Sequence, residues 1–190
     1  MRSAVIRDRS FYKNMFSIAI PVTLQNLITS SLNMVDTVMI GALGSKAIAA
    51  VGISNQYFFL FTLFVYGLSS GGNVFIAQFW GRRDVENIRK TMGVILITGC
   101  LFSLLFSSIA ILFPSVITKV FLKDPVVIQL AEDYLRVVGF SYIMTTISYA
   151  YGFGLRGIGQ AKLPMIISAI ALCINTGLNY VMIFGKFGFP

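Results

Sequence analysis

Long apolar runs separated by short polar segments dominate the pattern of this chain. A membrane-spanning helix needs roughly 20 mainly apolar residues. Five uncharged or nearly uncharged stretches meet that requirement, at about 14–41, 47–80, 91–116, 137–155 and 163–184. We expect the second stretch to form one long, tilted helix, because a break at its polar patch Ser69–Asn73 would leave a second half too short to cross.

Breaker and capping residues set the predicted helix boundaries. Pro114 ends the third helix, while Asp124 and Pro125 supply an N-cap and a first-turn proline to the fourth. The fourth helix therefore starts outside the lipid. We predict an all-α membrane protein, a bundle of five transmembrane helices, with a cytoplasmic basic segment over 1–13 and a helical domain over 14–190. Its helices are expected at about 14–41, 47–80, 91–116, 125–155 and 163–185.

Composition agrees with this pattern. Hydrophobic residues make up 56% of the chain and charged residues only 12%, and the mean hydropathy is +0.82. A soluble domain usually carries about 25% charged residues. The sequence therefore predicts a multi-pass protein of the cell membrane, plasma or inner, in contact with the lipid bilayer.

The formal net charge of +8 follows the predicted topology. Of the 15 Lys and Arg residues, ten lie before span one, between spans two and three, or between spans four and five, and five lie on the opposite side. Basic residues accumulate on the cytoplasmic side of membrane proteins, so the N-terminus is expected in the cytoplasm. The basic excess is a topology signal, and we expect no nucleic-acid partner.

Catalytic and metal-binding patterns are missing from the sequence. There is no His, and Cys100 and Cys173 lack metal-ligand spacing. No nucleophile lies at a workable spacing from a base. We therefore expect neither an enzyme nor an organic cofactor.

Asp36 is the only charged residue between Asn14 and Ser45. A carboxylate at the centre of a membrane helix costs on the order of 3 kcal/mol, and such residues usually mark ion pathways. A partner, a bound cation or a proton has to offset that cost. Asp36 therefore indicates transport.

Other polar side chains could complete a site around Asp36. Asn33 shares its helix face, and Asn175 and Asn179 share a face of span five, which the predicted topology places in the same outward half of the membrane. Such oxygen donors suit Na⁺ or a proton better than a transition metal. Because burial disfavours the charged carboxylate, proton and cation would compete for Asp36, which is sufficient for coupling.

Simpler explanations stay open for each of these residues. Asp36 would face water if it lay at the outer rim, and the two span-five asparagines would serve as hydrogen bonds between helices. Gln25 and Thr29 either line a cavity or pair helices. Tyr134 and Tyr142 suit an aromatic belt at the membrane interface as well as a site.

Several segments, in their order and spacing, resemble the N-terminal lobe of the multidrug and toxic compound extrusion (MATE) transporters. The resemblance covers nearly the whole chain. It implies twelve helices in two six-helix lobes that export drugs in exchange for Na⁺ or H⁺. The matching pieces are Ile20-Pro21, Met34–Gly41, Ala77–Gly81, Leu155–Gly159, Pro164-Met165 and Asn175–Tyr180.

The resemblance also implies roles for individual residues. Asp36 matches the essential carboxylate of the first helix, and Asn175 and Asn179 match the polar pair of helix five that lines the same cavity. A Na⁺ site is then expected at these three residues. Tyr134 matches a helix-four tyrosine near the site, and Pro21 matches a helix-one proline whose bending reshapes the cavity.

Two departures from the family pattern qualify this reading. Some members carry an acid where this chain has Asn179, which leaves Asp36 as the lone buried acid and argues against a scheme with two carboxylates. A sixth helix and a second lobe have no counterpart here, so we expect a partial lobe whose missing C-terminal lobe is its partner.

The expected function is a cation-coupled multidrug efflux antiporter for amphipathic or cationic drugs, with Na⁺ or H⁺ as the coupling ion. One alternative is a flippase for lipid-linked precursors, from the same superfamily. Its large anionic substrate would favour buried basic residues, which spans one, two, three and five lack. Another alternative is a non-transporting assembly component, in which Asp36→Asn would change nothing.

Overall fold

The computed structural model describes the backbone of residues 9–183. This part of the chain contains seven helices and no strand. The chain divides into two compact units. The first consists of residues up to 35 together with those from 159 onwards, and the second consists of residues 36–158. The helices are α1 (Arg9–Gly41), α2 (Ser45–Gly81), α3 (Val85–Leu112), α4 (Pro114–Phe121), α5 (Pro125–Gly139), α6 (Ser141–Gly157) and α7 (Lys162–Ile183).

The second unit, residues 36–158, is a bundle built around α2. This helix packs against α3, α5 and α6, and α3 packs in turn against α5 and α6. Its central core combines hydrophobic side chains from five helices. The buried members of that core are Phe61, Val65, Ala110, Ile117, Leu135 and Tyr142.

Glycines allow the helices of this bundle to approach closely. A Cβ atom at Gly99 would lie 2.7 Å from Thr146 Cγ2, and one at Gly139 would lie 2.9 Å from Ile111 Cγ1. Small residues at such positions are typical of membrane helix interfaces. The hydroxyls of Ser103 and Thr146 also form a buried hydrogen bond between α3 and α6.

The structure corrects the prediction of one continuous helix over 125–155. That segment forms two helices, α5 and α6, which are separated at Phe140. Ser107 Oγ of α3 donates to the carbonyl of Gly139 at 2.9 Å, and Ser141 Oγ donates to the carbonyl three residues earlier at 2.7 Å. Side-chain donors that enter the backbone ladder bend or interrupt helices. The interruption therefore depends on a tertiary contact.

The third predicted helix, 91–116, also differs from the structure. The helix begins earlier, at Val85, because Asp84 caps it and accepts a hydrogen bond from the backbone N–H of Asn87 at 3.1 Å. It ends at Leu112, and the residues after it form the short helix α4, which the sequence pattern does not predict.

The first unit consists, in its described part, of α1 up to residue 35 and of α7. Gln25 Nε2 on α1 donates to Ser168 Oγ on α7 at 2.9 Å. The helix α1 already begins at Arg9, inside the basic segment that we expected to precede it, while residues 1–8 and 184–190 lie outside the described part.

Four helices in the described part are long and apolar enough to cross a membrane. The predicted span 137–155 has no counterpart among them, because it falls on the interrupted pair α5 and α6 and the 17 residues of α6 are too few. The four are Phe11–Gly41, Ser45–Gly81, Val85–Leu112 and Lys162–Met182.

Candidate functional site

Asp36 lies near the end of α1, five residues before Gly41. At 1.5 Å per residue this places it roughly 8 Å from the helix end. Its side chain is partly buried, and it belongs to the second unit. The carboxylate is therefore neither fully exposed nor sealed in the core.

Tyr134 of α5 and Asp36 both belong to the second unit. Tyr134 is itself partly buried. A phenol hydroxyl can donate to a carboxylate or accept from its protonated form, so Tyr134 suits either charge state of Asp36.

Two further tyrosines, Tyr142 and Tyr57, lie in the core of the second unit. Tyr142 is fully buried, with an exposed fraction of 0%, and its ring centroid lies 4.7 Å from that of Phe61 and 6.2 Å from that of Tyr57. An aromatic belt at the membrane interface is therefore the wrong interpretation for Tyr142. Its eight-residue spacing from Tyr134 is the only signal in the sequence that could have indicated this arrangement.

The two span-five asparagines lie in the first unit, near the end of α7. Asn179 Nδ2 donates to Asn175 Oδ1 at 3.0 Å, and both side chains are partly buried. Their shared helix face is therefore used for a mutual hydrogen bond.

The polar side chains of α1 make mostly local contacts. Gln25 binds Ser168 of α7, the Thr29 hydroxyl donates to the backbone carbonyl of Gln25 at 3.0 Å, and Asn33 is exposed. Pro21 is buried within α1, which continues through it. Gln25 thus pairs helices, whereas a cavity lined by these residues and a bend at Pro21 stay predictions.

The predicted site residues are therefore divided between the units. Asp36 and Tyr134 belong to the second, and Asn175 and Asn179 belong to the first. A joint site of the carboxylate and the two amides stays a prediction. Within the described residues no group of three His, Cys, Asp or Glu side chains could hold a metal ion, so the available donors are the single carboxylate, amides and hydroxyls.

An apolar cavity of about 360 Å³ opens between α2 and α3 in the second unit. Its lining includes Phe64, Leu68, Thr98 and Phe102, and none of the predicted site residues. The cavity has no charged group to recognise a cation.

Comparison with known sequences decides the family. The sequence model of the family described as MatE matches residues 21–181, which is most of the chain. The chain belongs to the MatE family. The resemblance to MATE transporters inferred from the residues is thus confirmed, and the protein is an integral, multi-pass membrane protein.

Individual MatE relatives extend well beyond this chain. The probable multidrug resistance protein YoeA of Bacillus subtilis is 29% identical over 182 residues, which are 95% of this chain and 39% of YoeA. The probable multidrug resistance protein NorM of Thermotoga maritima is also 29% identical, over 94% of this chain and 38% of its own length. The chain therefore spans about two fifths of the curated relatives that it matches.

A solved transporter structure supports the fold. The transporter of the MOP superfamily from Pyrococcus furiosus superposes with a TM-score of 0.84 at 22% identity, over 93% of this chain and 39% of the other. At that identity the likeness concerns the fold alone. The helical arrangement is therefore that of about two fifths of such a transporter.

Proposed function

We propose that this chain is the ion-coupling lobe of a multidrug efflux antiporter driven by Na⁺ or H⁺. The observation that carries the proposal is the partly buried carboxylate of Asp36, the only charged residue between Asn14 and Ser45 of an otherwise apolar stretch. Relatives named as multidrug resistance proteins support the drug substrate. The substrates would be amphipathic or cationic drugs, and the partner would be a C-terminal lobe.

In this mechanism the Asp36 carboxylate binds and releases a cation during each transport cycle. A proton or Na⁺ neutralises Asp36, and Tyr134, Asn175 and Asn179 are the further oxygen donors that the family resemblance implies. Two opposite charges 4 Å apart attract each other by about 4 kcal/mol at an effective dielectric constant of 20. This energy is large enough that gain or loss of the cation shifts the lobe between two conformations.

The remaining predicted residues shape the drug cavity. Gln25, Thr29 and Asn33 line it from α1 and supply hydrogen-bond partners, and bending at Pro21 changes its width. A drug released outwards then leaves Asp36 ready to take its next cation. Alternating access also requires the opposing lobe.

Asp36→Asn tests the proposal. The amide keeps the size of the side chain but cannot bind Na⁺ strongly or take up a proton, so drug efflux should be abolished while membrane abundance stays normal. The measurement is drug resistance in an efflux-deficient host, with the natural full-length protein that carries this chain. Asp133→Asn, which removes an exposed acid from α5, is the matched control and should retain resistance.

Full resistance with Asp36→Asn would contradict the proposal. It would favour a role as a non-transporting assembly component, which does not require the carboxylate. Equal loss of resistance in both variants, at normal abundance, would also contradict a special role for Asp36.

A further inference from the structure

The apolar cavity between α2 and α3 opens to the surface of the second unit. It is bordered by Phe64 and Gly67 of α2 and by Thr98 and Phe102 of α3, and the rings of Phe64 and Phe102 stack with centroids 5.2 Å apart. Phe64 and Gly67 are exposed, and a Cβ atom added at Gly67 would meet nothing within 4 Å. A slender apolar group can therefore enter the cavity beside Gly67.

A line of exposed residues on α2 leads from this cavity to the connection between α2 and α3. From Gly67 it continues through Gly71, Phe75 and Gln78 to Arg82, at intervals of three or four residues, so all five share one helix face. Arg82, the C-cap, still has the right-handed helical conformation. Gly71, like Gly67, leaves open space where a Cβ atom would stand. We call this line of five residues the α2 groove.

The length of the α2 groove matches one leaflet of a bilayer. Gly67 and Arg82 are 15 residues apart, which is roughly 22 Å of helix at 1.5 Å per residue. Half of a bilayer, with its headgroup region, measures about 20–22 Å. Trp80, close to Arg82, is 49% exposed and is of the residue type enriched at membrane interfaces. A lipid with an acyl chain in the cavity therefore has its headgroup at the level of Arg82.

Positive charge prevails at the Arg82 end of the groove. The α2–α3 connection and the first turns of α3 carry four basic and two acidic side chains. Glu86 pairs with Lys90 at 2.7 Å, and Asp84 accepts the hydrogen bonds that cap α3. Arg82 and Arg83 are exposed and form no salt bridge with another described residue. Guanidinium groups bind phosphate with paired hydrogen bonds, so this end suits an anionic headgroup.

We propose that the α2 groove binds one anionic phospholipid from the leaflet at the α2–α3 connection. Its phosphate contacts Arg82 and Arg83, its ester groups contact Gln78, and one acyl chain enters the cavity beside Gly67. Apolar surface, amide and guanidinium follow one another along the groove in the same order as tail, ester and phosphate in the lipid. A cationic drug fits less well, because the cavity is uncharged and the groove ends in cations. The proposal does not depend on the proposed function.

Photocrosslinking in proteoliposomes of the natural full-length protein tests the site. The probe is phosphatidylglycerol with a diazirine at the end of one acyl chain, diluted in phosphatidylcholine, and phosphatidylcholine with the same diazirine is the reference. The anionic probe should label the segments around Phe64 and Thr98 about fivefold more than the reference does, and excess unlabelled phosphatidylglycerol should remove the difference. Equal labelling by both probes indicates ordinary lipid contact and overturns the proposal. No labelling by either, as when protein covers the groove, also overturns it.

Arg82→Gln tests the headgroup contact. Loss of one basic residue near a membrane surface should lower labelling by the anionic probe about fivefold. Arg89→Gln is the matched control, because Arg89 is also exposed but lies nine residues before Thr98, on the opposite face of α3. It should leave labelling unchanged. Unchanged labelling in Arg82→Gln, or an equal loss in both variants, overturns the headgroup site.

Gly67→Leu tests the acyl-chain contact. The new Cβ atom meets nothing within 4 Å, so helix packing is kept while the side chain blocks the cavity entrance, and labelling by the anionic probe should fall severalfold. Gly52→Leu is the control, since Gly52 is an equally open and exposed glycine of α2 outside the cavity. Retained labelling in Gly67→Leu overturns the role of the cavity. Labelling requires no transport, so these outcomes are separate from that of Asp36→Asn.

Discussion

Arg83 and Asp84 together join α2 to α3. The N–H of Arg83 donates to the carbonyl of Trp80 at 3.0 Å, and the N–H of Asp84 donates to that of Phe79 at 2.9 Å. This pair of bonds is a Schellman motif, whose C′ residue adopts the left-handed conformation. Arg83 holds that position with φ 58°, where glycine is usual.

Arg83→Gly should stabilise the protein. A non-glycine residue in the left-handed region costs roughly 1–2 kcal/mol, and glycine removes that cost at a C′ position. We expect a higher midpoint of thermal unfolding in detergent. Arg83→Ala is the control and should bring no such gain; a gain with alanine equal to that with glycine would show that the side chain, and not the backbone, is responsible.

The cap at Asp84 predicts acid sensitivity at the start of α3. Hydrogen bonds from the side chain and backbone N–H of Asn87 hold the pKa of Asp84 below its ordinary value of 3.8. Its ionised form therefore stabilises the folded connection above the ordinary pKa, and this contribution is lost as the pH falls through the lower folded pKa.

Hydrogen exchange at Val85–Ile88 measures this effect. Protection of these amides should fall in the parent as the pH drops below about 4, after correction for intrinsic exchange rates. Asp84→Asn keeps a cap that cannot be protonated in this range, so its protection should depend much less on pH. Identical acid dependence in parent and variant would rule out Asp84 as the cause.

At the scale of whole elements, close helix packing in the second unit depends on particular glycines. On α3, a Cβ at Gly99 would collide with Thr146 Cγ2 at 2.7 Å, whereas one at Gly93 would meet nothing within 4 Å. Thr146 is β-branched and fully packed, so it cannot move aside easily. The two glycines of one helix therefore differ in what they tolerate.

Gly99→Ala should destabilise the bundle, and Gly93→Ala should be neutral or stabilising. Overpacking a tight core typically lowers the free energy of unfolding by about 1–3 kcal/mol. Alanine in an open helical position raises it by about 0.5–1 kcal/mol relative to glycine. Thermal unfolding of both variants in the same detergent checks the difference. Equal midpoints would contradict the packing between α3 and α6.

The helices also show what the sequence can and cannot predict. The long uncharged run of α2 is sufficient to predict a continuous helix through its polar patch at Ser69–Asn73. The interruption at Phe140 is not predictable from the sequence pattern, because the hydroxyl that donates a hydrogen bond to the Gly139 carbonyl belongs to Ser107, on another helix. The local pattern therefore predicts the long helices, whereas a tertiary contact determines the break between α5 and α6.

The candidate site divides in the same way. Asp36 could be identified from composition alone, since a lone acid in an apolar helix is costly. The burial of Tyr142 could not, because a tyrosine in a membrane helix suits both the interface and the core. Only the packing of its ring on Phe61 distinguishes the two.

At the scale of the whole molecule, the chain has the fold of part of a MatE transporter. It covers 39% of YoeA and 39% of the similar transporter structure from Pyrococcus furiosus. Many apolar side chains of α1 and α7 are exposed, as expected of helices whose surroundings are lipid or other protein. In the proposed function, export is a property of the longer assembly, and this chain supplies the acid.

Ion-gradient-driven uptake by proteoliposomes tests the central claim, that the charge of Asp36 couples cation movement to drug export. Vesicles with the natural full-length protein and an imposed Na⁺ or H⁺ gradient are supplied with a fluorescent cationic dye. Dye transport should follow one of the two gradients in the parent and respond to neither in Asp36→Asn. Gradient-driven transport of equal size in Asp36→Asn would contradict the account.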